Sequence, residues 1–371
     1  MAVVAQRRIL TPLPVGEWVL CVVGDVDRDG NEEIVVAGRL PEWGVHLIRR
    51  ASDGSWRRHL IDDTYTRLEA GGVLVDIDGD GRLDFLAGGD WKGDQLFWWH
   101  QHPTDPTARW ICREVIRMPG MQSHDQLAAD LDGDGRPEIY FWNQGSKTLF
   151  TVPIPDDPFQ TPWPNLSAVA TDVQEEGLAV ADIDGDGSLE LLAGQSWYRR
   201  KRSGGWDRHP FAEGFVSPRL AVADFDGDGK PEIILAEGDA SWNGRQYGRL
   251  ARFFAPDDPT KPWPFEILHE KLLDPHSLCI ADFDGDGRPD LFVGELGDPR
   301  GQHSHPPSPR VYFNRGGRLV ETVIDSNVGS HEAKVLTFDG HPAIVSKPFR
   351  CIPAPVDREP EVDALYLWTL T

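Results

Sequence analysis

No stretch of the chain approaches the roughly 18 consecutive apolar residues of a membrane-spanning helix. The first ten residues, Met1 to Leu10, lack the apolar run of a secretory signal. The expectation is a cytoplasmic protein, or a secreted one if a leader was removed. Positive charge is scarce. Against 60 Asp and Glu stand 37 Lys and Arg, a formal charge of -23 that repels phosphate. Nucleic acid and anionic membranes are therefore not expected partners. The four cysteines, Cys21, Cys112, Cys279 and Cys351, show no CxxC or CxH spacing. They read as small buried residues of a reduced protein. No GxSxG, HExxH or Walker-type sequence occurs, so hydrolase, zincin and nucleotide-binding readings have no motif support. Long 3.6-residue apolar periodicity is missing too, which removes a helical fold.

What the chain does have is a repeat. It reads Asp25-Val-Asp-Arg-Asp-Gly-Asn-Glu-Glu33, and returns at Asp76–Asp84, Asp130–Glu138, Asp182–Glu190, Asp224–Glu232 and Asp282–Asp290. The first aspartates are 51, 54, 52, 42 and 58 residues apart. A seventh, decayed copy without the acids lies at Leu336–Val345. Periods of roughly 40 to 50 residues with several short strands per unit are the mark of propeller blades. Each unit supplies an apolar strand before the acidic loop (Leu178-Ala-Val-Ala) and another after it (Ile233-Ile-Leu-Ala). An aromatic strand (Leu96-Phe-Trp-Trp) and a fourth after Pro/Asp-rich turns (Arg113-Glu-Val-Ile) complete the unit. The expected fold is all-β: a single seven-bladed β-propeller over residues 1–371. The seventh unit lacks a fourth strand, and Gln6–Leu10 resembles the fourth strands elsewhere. Residues 1–12 are therefore expected to close the last blade and the ring, with 13–371 forming blades one to seven.

The acidic loops suit a hard cation. Calcium takes six to eight oxygens converged by a sharp turn. Positions 1, 3 and 5, the carbonyl of position 7 and a bidentate acid at position 9 would supply them, with Gly at position 6 making the turn. The ligand sets are Asp25, Asp27, Asp29, Asn31 and Glu33; Asp76, Asp78, Asp80, Arg82 and Asp84; and Asp130, Asp132, Asp134, Arg136 and Glu138. They continue as Asp182, Asp184, Asp186, Ser188 and Glu190; Asp224, Asp226, Asp228, Lys230 and Glu232; and Asp282, Asp284, Asp286, Arg288 and Asp290. An EF-hand would place its Glu at position 12, where Val36, Ala87 and Phe141 stand in the first three loops. About six structural Ca2+ ions would bring the formal charge from -23 to about -11. The repeats resemble FG-GAP/VCBS repeats, known from integrin-type propellers and many bacterial proteins. That resemblance implies the fold and leaves function open among lectins, lyases, dehydratases and adhesion domains.

Candidate chemistry sits six residues before each first aspartate, at the opposite rim: Val19, Ala70, His124, Glu176, Pro218, His276 and, in the last blade, His331. Neighbours add Glu69, Glu175 and Arg219. The ends of the second strands read Arg39, Asp90, Gln144, Gln195, Glu237, Glu295 and Lys347, followed by Trp43, Trp91, Trp197, Tyr198 and Trp242. This reads as a polar funnel walled by aromatics, suited to a carbohydrate or other small polar ligand. His276, His331 and Glu295 could hold a further divalent metal of the zinc type. His124 and Glu176 would move the proton, His331 being a second candidate base, and Arg219 and Lys347 would neutralise a carboxylate or enolate-like oxygen.

The arrangement resembles the sugar-acting eliminases among such propellers, the rhamnose–glucuronate lyases and aldos-2-ulose dehydratases. The phrase Gln95-Leu-Phe-Trp-Trp-His-Gln-His-Pro-Thr-Asp-Pro-Thr-Ala-Arg-Trp110 is similar to turns in them. The resemblance implies a lyase or dehydratase acting by β-elimination on a uronic acid or keto-sugar, with a funnel histidine and a bound metal. The other reading is a lectin or scaffold that holds carbohydrate or protein without chemistry.

Overall fold

The computed structural model describes residues 4–14, 16–65, 67–297, 306–349 and 364–370. Cys351 lies outside them. Cys21 and Cys279 are buried and Cys112 is half-buried, all three as free thiols. Seven four-stranded antiparallel sheets follow one another along the chain, and the fold is a seven-bladed β-propeller. In blade 1 the strands are Trp18–Gly24, Glu33–Gly38, Val45–Arg50 and Trp56–Asp62, hydrogen-bonded in that order. Blade 7 runs His331–Phe338, His341–Lys347 and Ala364–Leu370, and its fourth strand is the N-terminal Ala5–Pro12, paired Arg7 to Trp368 and Ile9 to Tyr366. The decayed loop has become a two-residue hairpin turn. Asp339 and Gly340 take φ of 52° and 81°, as a type I′ turn requires.

Two compact units divide the chain: Gly16–Gln174 with blades 1 to 3, and Met1–Val15 with Glu175–Thr371, holding blades 4 to 7. Each has its own apolar core. In the first, Trp98, Phe141, Phe150 and Trp163 pack with Leu86, Leu96 and Ile139. In the second, Trp197, Phe211, Phe253 and Trp263 fill one seam, and Phe292, Phe313, Ile344 and Trp368 another. The aromatic third strands thus face neighbouring sheets. Burying each such ring removes about 150–250 Å² from water, an upper bound on the order of 4–6 kcal/mol.

Within blades 4 to 7 the first strands lie side by side. Pro275–Ala281 packs against Pro218–Ala223 on one flank and His331–Phe338 on the other. Register breaks mark the beginnings of first strands. They fall between Trp18 and Leu20, His124 and Gln126, Pro275 and Ser277, and His331 and Lys334. Such bulges re-aim side chains at the rim of a sheet.

Candidate functional site

The acidic loops share one hydrogen-bond plan. The carboxylate at position 1 accepts from two backbone N–H groups, as Asp182 does from Gly185 at 2.8 Å and Gly187 at 3.0 Å. The carboxylate at position 5 accepts the N–H of position 7, at 2.8 Å for Asp186 and Ser188. Two left-handed residues bend each loop. Position 6 is always Gly, with φ of 84–90°, and position 4 is Gly except for Arg28 at 61°. The need for a left-handed position 4 is a feature that the reading of position 6 alone misses.

The acid at position 9 opens the second strand and is buried in every loop. In five loops one of its oxygens accepts the N–H of position 2: Glu33 from Val26, Glu138 from Leu131, Glu190 from Ile183, Glu232 from Phe225 and Asp290 from Phe283. Burial pushes Glu33 up to about 8 and Asp84 and Glu190 up to about 7. These are carboxylates that gain from a cation. Several loops meet a protein cation instead. Arg49 reaches Asp27 at 2.8 Å and Asp29 at 2.6 Å, Arg199 pairs with Asp184, and Arg315 reaches Asp284 at 2.6 Å.

At the other end of the first strands, blades 4 to 7 gather a buried cluster. Arg219 donates one N–H to Glu176 and another to His276 Nε2 at 2.5 Å, and lies 3.8 Å from Asp239. A bond donated to Nε2 uses its lone pair, so the ring hydrogen sits on Nδ1. That nitrogen is buried and has no hydrogen-bond partner among the described residues. The His276 ring stacks on His331 with centroids 4.5 Å apart and planes at 26°. His331 in turn stacks on Phe349 at 4.8 Å. Fully buried Lys347 places Nζ 3.0 Å from His331 Nδ1 and donates to the His331 carbonyl at 3.3 Å. Ser277, Ser330 and Ser346 link their hydroxyls beneath the bulge, Ser277 also accepting the N–H of Ala333 at 3.1 Å. Gly294 permits this approach, since a Cβ there would stand 2.4 Å from Ser330 Oγ.

One expected ligand is displaced. Glu295 does not join His276 and His331. Its carboxylate is spent on the N–H groups of Leu273 and Ser308, both at 2.7 Å, and on Arg310. Glu332 takes its place: one ligand atom each from His276, His331 and Glu332 lies within 4.8 Å of the others. The bulge carries Glu332 there with a left-handed φ of 56°. Lys347 faces His331, which makes it a group that orients the imidazole. Asp274 and Asp239, near His276, were not anticipated either. Burial pushes the Asp274 carboxyl up to about 6, although Ser241 bonds to it.

Most of the remaining polar rim is scaffold. Asp90 accepts from Arg67 and the Lys92 N–H, and Glu237 from Arg245, Arg249 and the Val216 N–H. Burial raises Glu175, which accepts from the Gln195 backbone at 2.6 Å. In blades 1 to 3, Arg39 ties Glu17, Glu69 and Asp90 together. Burial pushes Glu69 upward, but Arg39 and His124 outweigh it and hold the carboxyl below its usual range. His124 pairs with Asp125 at 3.2 Å, and Glu176 belongs to Arg219. Of the expected aromatic wall, Trp197 and Tyr198 are core and Trp43 is packed over Gly16 and Gly38; Trp91 and Trp242 are exposed.

An FG-GAP-like repeat profile matches residues 25–87, 76–141 and 130–193, and an FG-GAP repeat profile matches 275–303. Cartilage acidic protein 1 of Xenopus tropicalis is 29% identical over 140 residues, spanning 36% of this chain and 21% of that protein. Virginiamycin B lyase from Staphylococcus aureus is similar in structure, with a TM-score of 0.58, 12% identity and full coverage of both chains. The N-terminal domain of Nup159 gives a TM-score of 0.52 at 9% identity, covering 99% of this chain and 95% of that one. Identities this low carry the fold alone. The chain carries FG-GAP repeats on a seven-bladed β-propeller fold.

Proposed function

We propose that the chain is a carbon–oxygen lyase acting on a carbohydrate with a carboxylate or carbonyl next to the scissile position. The observation that carries this reading is the stacked pair His276 and His331 on adjacent first strands, flanked by buried Arg219 and Lys347. Elimination needs a base, a donor to the leaving oxygen and a cation at the developing oxyanion. Lys347 donates to His331 Nδ1, which leaves the ring hydrogen on Nε2, and the Glu332 carboxylate beside both rings can take the proton next to the carbonyl. The C–H electrons become the C=C bond as the C–O bond breaks, and the leaving oxygen takes a proton from His276 Nδ1. Arg219 sits where the substrate carboxylate would gain charge, with Glu176 fixing its guanidinium.

The donor set also fits a zinc-type ion, two imidazoles and a carboxylate. His276, His331 and Glu332 would hold it, with one ligand atom each. Bound there, it would supply Lewis-acid stabilisation of the oxyanion. The acidic loops we assign to about six structural calcium ions, supported by their shared geometry and buried ninth carboxylates.

The test is a screen of uronates and keto-sugars for ultraviolet-absorbing unsaturated products. His276→Gln and Glu332→Gln are each expected to lose at least about 100-fold in rate. Turnover that survives in both would sink the assignment. A second reading, binding without chemistry, rests on the exposed indoles of Trp91 and Trp242. Glycan binding without turnover, lost in Trp91→Ala or Trp242→Ala, would favour it.

A further inference from the structure

The loop of blade 2 differs from the other five in two independent ways. The first concerns the third strand. Trp99 pairs with Phe85, so the next residue, His100, stands opposite the ninth-position acid Asp84. The same register puts Arg49 opposite Glu33 in blade 1 and Arg199 opposite Glu190 in blade 4. Pro153 stands there in blade 3 and Phe254 in blade 5. His100 places Nε2 3.0 Å from Asp78 Oδ2, and ligand atoms of Asp78, Asp80 and His100 lie within 4.8 Å of one another. The ring is fixed by Trp98 and Phe159, whose centroids are 5.4 Å and 5.3 Å away.

The second difference is in Asp84 itself. Its counterparts give an oxygen to the N–H of position 2. Asp84 instead accepts the Gln101 N–H through Oδ1 at 2.8 Å. Its Oδ2 is buried and makes no hydrogen bond of full geometry, the Trp98 indole N–H offering it only a weak contact. Asp84 is only 2% exposed and is close enough to Asp78 and Asp80 to be repelled electrostatically by both. A buried acceptor left poorly partnered is destabilising, and a metal bond removes that cost. A cleft of about 230 Å³ bordered by Asp76, Asp78 and Arg136 gives an ion and its waters a way in.

We infer that the blade 2 loop is a mixed nitrogen–oxygen metal site, held by His100 with Asp78, Asp80 and Asp84, that selects a first-row transition-metal dication over calcium. Imidazole binds manganese or zinc in preference to calcium, whose ligands are oxygens. An arginine at that position offers no lone pair, and proline and phenylalanine offer no ligand atom. The inference rests on the reading of the loops as cation sites.

The experiment uses the full chain, stripped with a chelator and then dialysed against calcium with an equal concentration of Mn2+. Bound metals are counted by elemental analysis, and pulsed electron paramagnetic resonance reads 14N coupling to manganese. In the His276→Gln background, which removes the second nitrogen-bearing cluster, calcium in five loops is expected, with one manganese showing 14N coupling. Adding His100→Gln to that background should lose the coupling and weaken manganese at least tenfold. His100→Arg reproduces the arrangement of blade 1 and should fold, binding no manganese in this loop. Coupling lost in His276→Gln and kept in His100→Gln would overturn the inference, assigning the nitrogen-bound ion to blades 6 and 7. Six calcium ions without 14N-coupled manganese would overturn it while leaving the cation loops standing. A chain that binds neither metal would remove both readings.

Discussion

Arg219 shows how closely scaffold and chemistry are joined at single residues. Its guanidinium is only 7% exposed and neutralises Glu176 while donating to His276. Removing it leaves a carboxylate buried without its counter-ion, which costs about 3–5 kcal/mol. Arg219→Met is therefore expected to lower the urea midpoint sharply. The double variant Arg219→Met with Glu176→Gln should recover part of that loss, because the two changes share one interaction. Additive losses in denaturant titrations would mean that the pair contributes nothing as a pair. His46 offers a cleaner reading of pH. It is buried and bonds through Nε2 to the Trp43 carbonyl at 2.8 Å, and burial holds its pKa below the ordinary histidine value. A histidine kept neutral by the fold stabilises it above about pH 6.5, the unfolded value, and that contribution is lost as pH falls toward the folded value. The raised loop carboxyls act in the opposite sense in both proteins, so the reading is a difference: from pH 7.5 down to 5 the melting temperature should lose ground relative to that of His46→Gln. An identical slope in the variant would exclude His46 as a contributor.

At the scale of the element, the repeat made the strands legible but not the bulges. Counting six residues back from each loop found His124, Glu176, His276 and His331, all of which are buried. The count missed Glu332, because the register break between His331 and Lys334 inserts residues that no fixed spacing anticipates. The reading of second-strand ends assigned Glu295 to a metal, although its carboxylate is taken by N–H groups of two neighbouring connections, at Leu273 and Ser308. Asp239 and His100 escaped for a related reason. They come from a connecting loop and a third strand, and neither was counted against the first-strand register. The loops themselves can be tested at Gly187. Its φ is 88° and a Cβ added there would have nothing within 4 Å, so alanine would meet backbone strain alone. Gly187→Ala is expected to cost about 1–2 kcal/mol and to weaken calcium at blade 4. Calorimetry in calcium and in chelator separates the two effects. No change in either would remove the requirement for a left-handed sixth position.

For the molecule as a whole, charge decides the balance. Twenty-four of the sixty acids sit in the loops at positions 1, 3, 5 and 9, and the protein carries -23 before any ion is bound. Without ions these carboxylates repel one another, and Arg49, Arg199 and Arg315 offset only part of that repulsion. Filling a loop that is empty in the unfolded chain adds about 2.7 kcal/mol when free calcium is 100 times the dissociation constant. Chelation is therefore expected to lower the melting temperature by many degrees, and calcium should restore it. Magnesium should restore less, since it demands octahedral geometry with short bonds and gives up its waters reluctantly. Added sodium chloride should raise the melting temperature of the stripped protein by screening the loop acids, and should do little for the loaded one. Differential scanning calorimetry across these four conditions checks the set together. A stripped protein insensitive to salt would show that the arginines already balance the loops, and a melting temperature unmoved by chelator would refute the calcium assignment outright.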